Sequence, residues 1–97
     1  MKREKNVLTF DWDKGNIEKN IKHRVEDKEA EESFFDKRKR TFTDSVHSQH
    51  EERLRIIGKT RVGRLLFVVF IKRGNKVRII SARDVNKKEV VLYEKAA

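Results

Sequence analysis

The apolar residues of this chain are clustered, and each cluster carries a period that names an element. Val7-Leu8-Thr9-Phe10 is short, β-prone and bounded by charge, which predicts a first strand ending near Trp12. Asp13 is a candidate N-cap, and Ile17 and Ile21 sit one turn apart, which predicts a short helix from Lys14 to His23. A second helix is expected over Asp27 to Phe35. Its Glu-rich first turns suit the positive end of a helix, and Ala30 and Phe34 face the core together. Asp36 to Arg40 reads as a loop, Thr41-Phe42-Thr43 as a short strand, and Asp44 to His50 as a polar stretch. Arg53 to Ile57 is the next strand, closed by Gly58, with a hairpin turn over Thr60 to Gly63. Leu65 to Ile71 is unbroken apolar sequence, which predicts a central strand buried on both faces. Arg73-Gly74-Asn75 is a second turn, Lys76 to Ala82 the last strand, and Asn86 with Glu89 a capping box that opens a C-terminal helix.

The resulting order, β-α-α-β-β-β-β-α, is an α+β pattern built on a small antiparallel meander with two N-terminal helices and one C-terminal helix. Residues 1–97 make one domain, with 1–6 expected to be a frayed, charged lead-in.

Composition sharpens this reading. At 36% hydrophobic and 42% charged, the chain borders on the composition of disordered proteins. The clustering of its apolar residues argues instead for a compact fold with a thin core that an obligate partner would stabilise. There are no cysteines, so neither a disulfide framework nor a Cys-based zinc site is expected. No apolar run approaches the ~20 residues of a membrane helix. No apolar h-region follows the charged start, so the expected setting is cytoplasmic, away from membranes.

The net charge is +9, and it is uneven. Residues 1–50 carry 12 basic and 11 acidic side chains; residues 51–97 carry 13 and 5. A basic half suits a polyanion, nucleic acid first and an anionic membrane surface second. Arg53, Arg55, Arg61, Arg64, Arg73, Arg78 and Arg83 all fall on the meander or its turns. Strict alternation puts Val77, Ile79, Ser81 and Arg83 on one face, and Arg78, Ile80 and Ala82 on the other. Arg83 would then end a strand beside a buried face, a partly desolvated position that suits phosphate recognition by a guanidinium fork. Pairing with helix glutamates, merely solvating the sheet, accounts for the same arginines equally well.

RNA cleavage without a metal needs a base for the 2′-hydroxyl proton, cations for the phosphorane and an acid for the leaving oxygen. His23 is the only histidine beside an ordered element, next to Lys22 at a helix end that favours its protonated form. A capping role without catalysis is the simpler reading from the residues alone. Trp12 and Tyr93 could stack on a splayed base, although Trp12 in so small a domain also suits a core anchor. His47 and His50 with Glu51 and Glu52 have the look of metal ligands. No second ligand cluster supports them, so no metal and no cofactor is expected.

Two runs of residues resemble a known family. Phe10-Asp11-Trp12-Asp13, Lys14, Asn20, Lys22-His23 and Val25 form the first. Glu52-Arg53, Gly58, Gly63-Arg64-Leu65-Leu66, Val68-Val69-Phe70, Arg73, Arg78-Ile79-Ile80-Ser81-Ala82-Arg83, Glu89 and Tyr93-Glu94 form the second. Together they resemble BrnT, the toxin half of bacterial BrnT/BrnA toxin–antitoxin pairs, over roughly residues 8–95. The chain departs from that pattern at Arg24, where many relatives have glycine, and at Lys37, where they often have proline.

The resemblance implies a RelE-like fold and a metal-independent endoribonuclease that blocks translation. It also implies neutralisation by a BrnA-like antitoxin carrying a ribbon-helix-helix DNA-binding domain, in a heterotetramer of two toxins and two antitoxins. Carried over by position, it implies Arg64, Arg83, His23 and Lys22 as catalytic residues. Arg64 and Arg83 would stabilise the phosphate and His23 would transfer the proton. Arg73, Arg78, Trp12 and Tyr93 would contact RNA. The alternative is a non-catalytic module of the same fold that binds RNA or only its antitoxin. Direct DNA binding is not expected, since the last helix carries only Lys87, Lys88 and Lys95 as basic residues.

Overall fold

The computed structural model describes residues 8–12, 23–44 and 52–95. Their elements are β1 (Thr9–Phe10), α1 (Asp27–Ser33), β2 (Arg40–Thr43), β3 (Glu52–Lys59), β4 (Leu65–Arg73), β5 (Lys76–Asp84) and α2 (Lys87–Glu94). The strands form one sheet in the order β1-β5-β4-β3-β2. It is mixed rather than purely antiparallel, because β1 runs parallel to β5, pairing Thr9 with Lys76 and Phe10 with Val77. The β2-to-β5 meander is antiparallel throughout.

Among the described residues one helix, α1, precedes the meander, not the expected pair. Residues 14–22 of the expected first helix lie outside the described residues, as do 1–7 and the His47, His50 and Glu51 cluster. His23, the expected last residue of that helix, sits in a turn. Arg24 beside it has φ 57°, the left-handed conformation through which no right-handed helix continues.

The core lies between one face of the sheet and α1. Leu54, Ile56, Leu66, Val68, Phe70, Val77, Ile79 and Ala82 meet Val25, Ala30 and Phe34 there. Phe34 is held edge-on between Phe10, with centroids 5.2 Å apart, and Phe70, at 4.8 Å. Such pairs add about 0.5–1.5 kcal/mol each beyond area burial. Trp12 packs against this cluster, and its indole N–H donates to Glu31 Oε2 at 2.6 Å.

Gly58 does not end β3, which continues to Lys59. A Cβ at Gly58 would stand 2.2 Å from the carbonyl oxygen of Ser33, so the glycine is where α1 touches the sheet backbone. β4 is central as expected, but it is not buried on both faces. Leu66, Val68 and Phe70 are buried, while Phe67, Val69 and Ile71 on the second face are partly open.

The register of β5 breaks the expected alternation. Phe70 pairs with Ile79 but Val69 pairs with Ser81, which leaves Ile80 as an additional residue in a β-bulge. Beyond it, Ala82 enters the core and Arg83 turns to the opposite face from Val77 and Ile79. Arg78 and Arg83, five positions apart, therefore share the second face. α2 closes one end of that face, opening with the Asn86/Glu89 capping box read from the sequence. Tyr93 of α2 reaches around the sheet end to donate to Asp36 Oδ2 at 2.6 Å, an atom that also accepts from the Lys59 N–H at 2.8 Å.

Candidate active site

Three of the four catalytic candidates, Arg64, Arg83 and His23, lie near the sheet end where β4 begins and β5 finishes, but not on one surface. Arg64, in the β3–β4 turn, donates Nε–H and one terminal N–H to the carboxylate of Asp84 at 2.7 and 3.1 Å. Its other terminal nitrogen donates to Glu29 Oε1 at 2.9 Å and to the carbonyl of Arg24 at 3.0 Å. All but one of its N–H donors are thus engaged. The hydrogen bond to Asp84, more than the field of either carboxylate, raises the Arg64 pKa against the opposing effect of burial. The same bond lowers that of Asp84. Arg64 thereby ties the His23–Arg24 turn to α1 and to the end of β5. His23 itself is exposed in that turn. Lys22 lies outside the described residues.

Arg83 stands on the other side of the sheet. Its terminal nitrogens make a fork to Glu89 at 2.9 and 2.8 Å, and one also donates to the Asp84 carbonyl at 3.0 Å. Its guanidinium carbon lies 4.3 Å from the centroid of Phe67. The hydrogen bonds to Glu89 raise its pKa, opposed by burial, so it holds its charge. Burial alone would raise Glu89, but the bonds from Arg83 and the Asn86 N–H, with the field of Arg83 and Arg55, outweigh it and lower the carboxylate. Two Arg83 donors, Nε–H and one terminal N–H, have no partner among the described residues.

An open depression of about 460 Å³ lies in front of Arg83, with Phe42, Arg55, Phe67, Val69 and Leu92 among its walls. At the far end of the same face a smaller depression of about 230 Å³ is lined by Asp11, Ile71, Arg73, Lys76 and Arg78. Arg78 and Asp11 stand 3.9 Å apart there.

Two aromatic candidates are placed as anchors. Trp12 is partly buried against the core and bonded to Glu31. Tyr93 is 8% exposed. Burial, with the hydrogen bond to Asp36, pushes its hydroxyl up to about 12. Phe67 and Phe42 are not legible as site features in the sequence, and although pairing of the meander arginines with helix glutamates is one of the two readings there, nothing singles out Glu89 for it. Phe67 sits in an apolar run, and Glu89 reads there only as a helix cap. Among the described residues no group of three His, Cys, Asp or Glu side chains is placed to hold a metal ion. No helix among them is long and apolar enough to cross a membrane.

A family model described as a ribonuclease toxin, BrnT, of type II toxin–antitoxin systems matches residues 12–89. No curated protein matches the chain.

Proposed function

The chain belongs to the BrnT family of type II toxin–antitoxin ribonuclease toxins, and on that premise we propose a metal-independent endoribonuclease whose scissile phosphate docks on Arg83. Type II membership gives it a protein antitoxin as partner. The observation that carries the reading is the half-satisfied Arg83 fork. Glu89 and Phe67 fix the guanidinium, two of its N–H donors have no partner among the described residues, and Arg83 lines an open depression. A planar cation fixed in this way is preorganised for the charge that grows on a phosphorane, with little reorganisation at the moment of reaction.

The reaction is attack of the ribose 2′-hydroxyl on its own phosphorus. The hydroxyl proton leaves to a base, the P–O5′ bond breaks, and the departing 5′-oxygen takes a proton from an acid. The products are a 2′,3′-cyclic phosphate and a 5′-hydroxyl end. His23 is exposed in the turn that Arg64 positions, on the other side of the sheet from Arg83, so it and its sequence neighbour Lys22 are assigned to holding the RNA backbone rather than to proton transfer at a phosphate docked on Arg83. Arg73 and Arg78 hold RNA further along the sheet. Trp12 and Tyr93 contribute by anchoring the elements that frame the RNA. The cellular outcome is a block of translation, relieved by a BrnA-like ribbon-helix-helix antitoxin in a complex of two toxins and two antitoxins.

Induced expression with and without the antitoxin tests this. Wild type arrests growth and Arg83→Ala does not, while both still bind antitoxin. Equal arrest by the variant refutes the assignment of Arg83. A non-catalytic module that binds RNA or only its antitoxin is the reading left standing if purified chain, free of antitoxin, leaves RNA intact.

A further inference from the structure

We propose that the bulged face of the sheet is a track for extended single-stranded RNA, running along β4 from Arg83 to the β4–β5 turn. The inference rests on the ribonuclease reading and deepens it by naming the form of the substrate. Residues directly opposite in the ladder share a face, so the second face can be read rung by rung. The first rung is Ile57–Phe67–Arg83, the next Arg55–Val69–Ser81, the third Arg53–Ile71–Arg78, and the last Arg73–Lys76. Every rung carries at least one cation. The middle of the first three is an apolar residue of β4 that is only partly buried.

Successive rungs are about 6.7 Å apart, so the track is about 20 Å long. That holds roughly four nucleotides, the low end of single-strand site sizes. An apolar ridge flanked by guanidinia suits unstacked bases over a backbone held at its phosphates. A duplex hides its base faces and would leave the ridge unused.

The face exists because of the bulge. Under strict alternation Arg78 and Arg83 would point to opposite sides, and the additional residue Ile80 brings them to one. The carboxylates along the track are fewer than the cations. Arg53 stands 3.5 Å from Asp44, and Arg78 3.9 Å from Asp11. The Arg78–Asp11 pair is about half exposed on both sides, where an ion pair is worth little. Glu89 keeps the short fork to Arg83 and walls the track at its α2 end.

The test uses the full chain and uniformly 2′-O-methylated oligoribonucleotides, which cannot undergo 2′-hydroxyl attack, of about four and about twelve nucleotides. Anisotropy across a salt series should show both lengths bound, with log Kd against log salt changing by about 0.7 per phosphate held. Arg78→Glu should weaken binding more than tenfold and flatten that slope, and Arg78→Lys should restore most of it. Lys76→Glu, on an exposed side chain one rung on, should weaken binding several-fold and covers the case in which Arg78→Glu fails to melt like wild type. Variants that bind within twofold of wild type overturn the track. If such variants still cleave RNA, the ribonuclease reading survives alone. Loss of antitoxin affinity with RNA binding unchanged makes the face a protein-docking surface and also overturns the track. A wild-type chain that neither binds nor cleaves RNA overturns the ribonuclease reading itself.

Discussion

Replacing Arg64 by Met separates a structural arginine from one that touches RNA. The variant keeps the apolar stem and removes a cation that bridges Glu29, Asp84 and the Arg24 carbonyl. The Glu29 side chain is 21% exposed, so the variant leaves a largely desolvated carboxylate, held by the Glu26 N–H, without its cation. Fully buried pairs cost about 3–5 kcal/mol when broken and exposed ones about 0–1. The Glu29 bond falls between these, at about 2 kcal/mol. The Asp84 side chain is 65% exposed, so its share is at the surface end of that range. The total is about 2–3 kcal/mol, which for a chain of this size lowers Tm by roughly 10–20 °C.

Thermal and urea unfolding, followed by the fluorescence of the single Trp12, measure it. Part of the loss depends on pH. Asp84 has its pKa lowered by Arg64, so that contribution is present above about pH 4, the unfolded value. It disappears as pH falls through the depressed folded value. The gap between wild type and variant therefore narrows in acid. Adding Glu29→Gln removes the orphaned carboxylate and should recover about half the loss. A variant that melts like wild type at neutral pH and yet fails to cleave RNA would refute the reasoning and place Arg64 against the substrate.

Other perturbations address separate parts of the fold. Gly58→Ala places a Cβ 2.2 Å from the Ser33 carbonyl oxygen, so α1 must lift from β3. A loss of about 2–3 kcal/mol in urea unfolding is expected, and a change under 0.5 kcal/mol would mean the contact is absent. Arg24→Gly should stabilise the chain by up to about 1 kcal/mol by relieving φ 57° in a residue with a Cβ; destabilisation would mean the turn is not left-handed there. Tyr93 is the only tyrosine, so tyrosinate absorbance reports it alone. Its midpoint should lie near 12 rather than 10, and the stability it contributes should fade as pH rises from 10 to 12. A midpoint near 10 would remove the bond to Asp36.

The meander was legible because its signals are local. β4 is apolar throughout, turns at Gly63 and Gly74 separate the strands, and Asn86 with Glu89 declares the start of α2. What escaped depends on a partner strand or a distant helix. The bulge at Ile80 exists only against Val69 and Phe70, so alternation along β5 alone put Arg83 on the wrong face. β1 is two residues long, and its parallel pairing carries no turn signal. Gly58 looks like a strand end until Ser33 is seen above it. Of the site, the arginines were identifiable by type and place. Their division was not, because Arg64 is consumed by Glu29 and Asp84 while Arg83 is half-held by Glu89.

The central claim is that a guanidinium fixed on Phe67 by Glu89 stabilises phosphodiester cleavage by the ribose's own hydroxyl. Its most direct test incubates purified, antitoxin-free chain with RNA in excess chelator and identifies the new ends. The account predicts 2′,3′-cyclic phosphate and 5′-hydroxyl ends at an undiminished rate, with Arg83→Ala slower by at least about a hundredfold, the loss typical of one oxyanion donor. Cleavage that stops with chelator, yields 3′-hydroxyl ends or survives Arg83→Ala would contradict it.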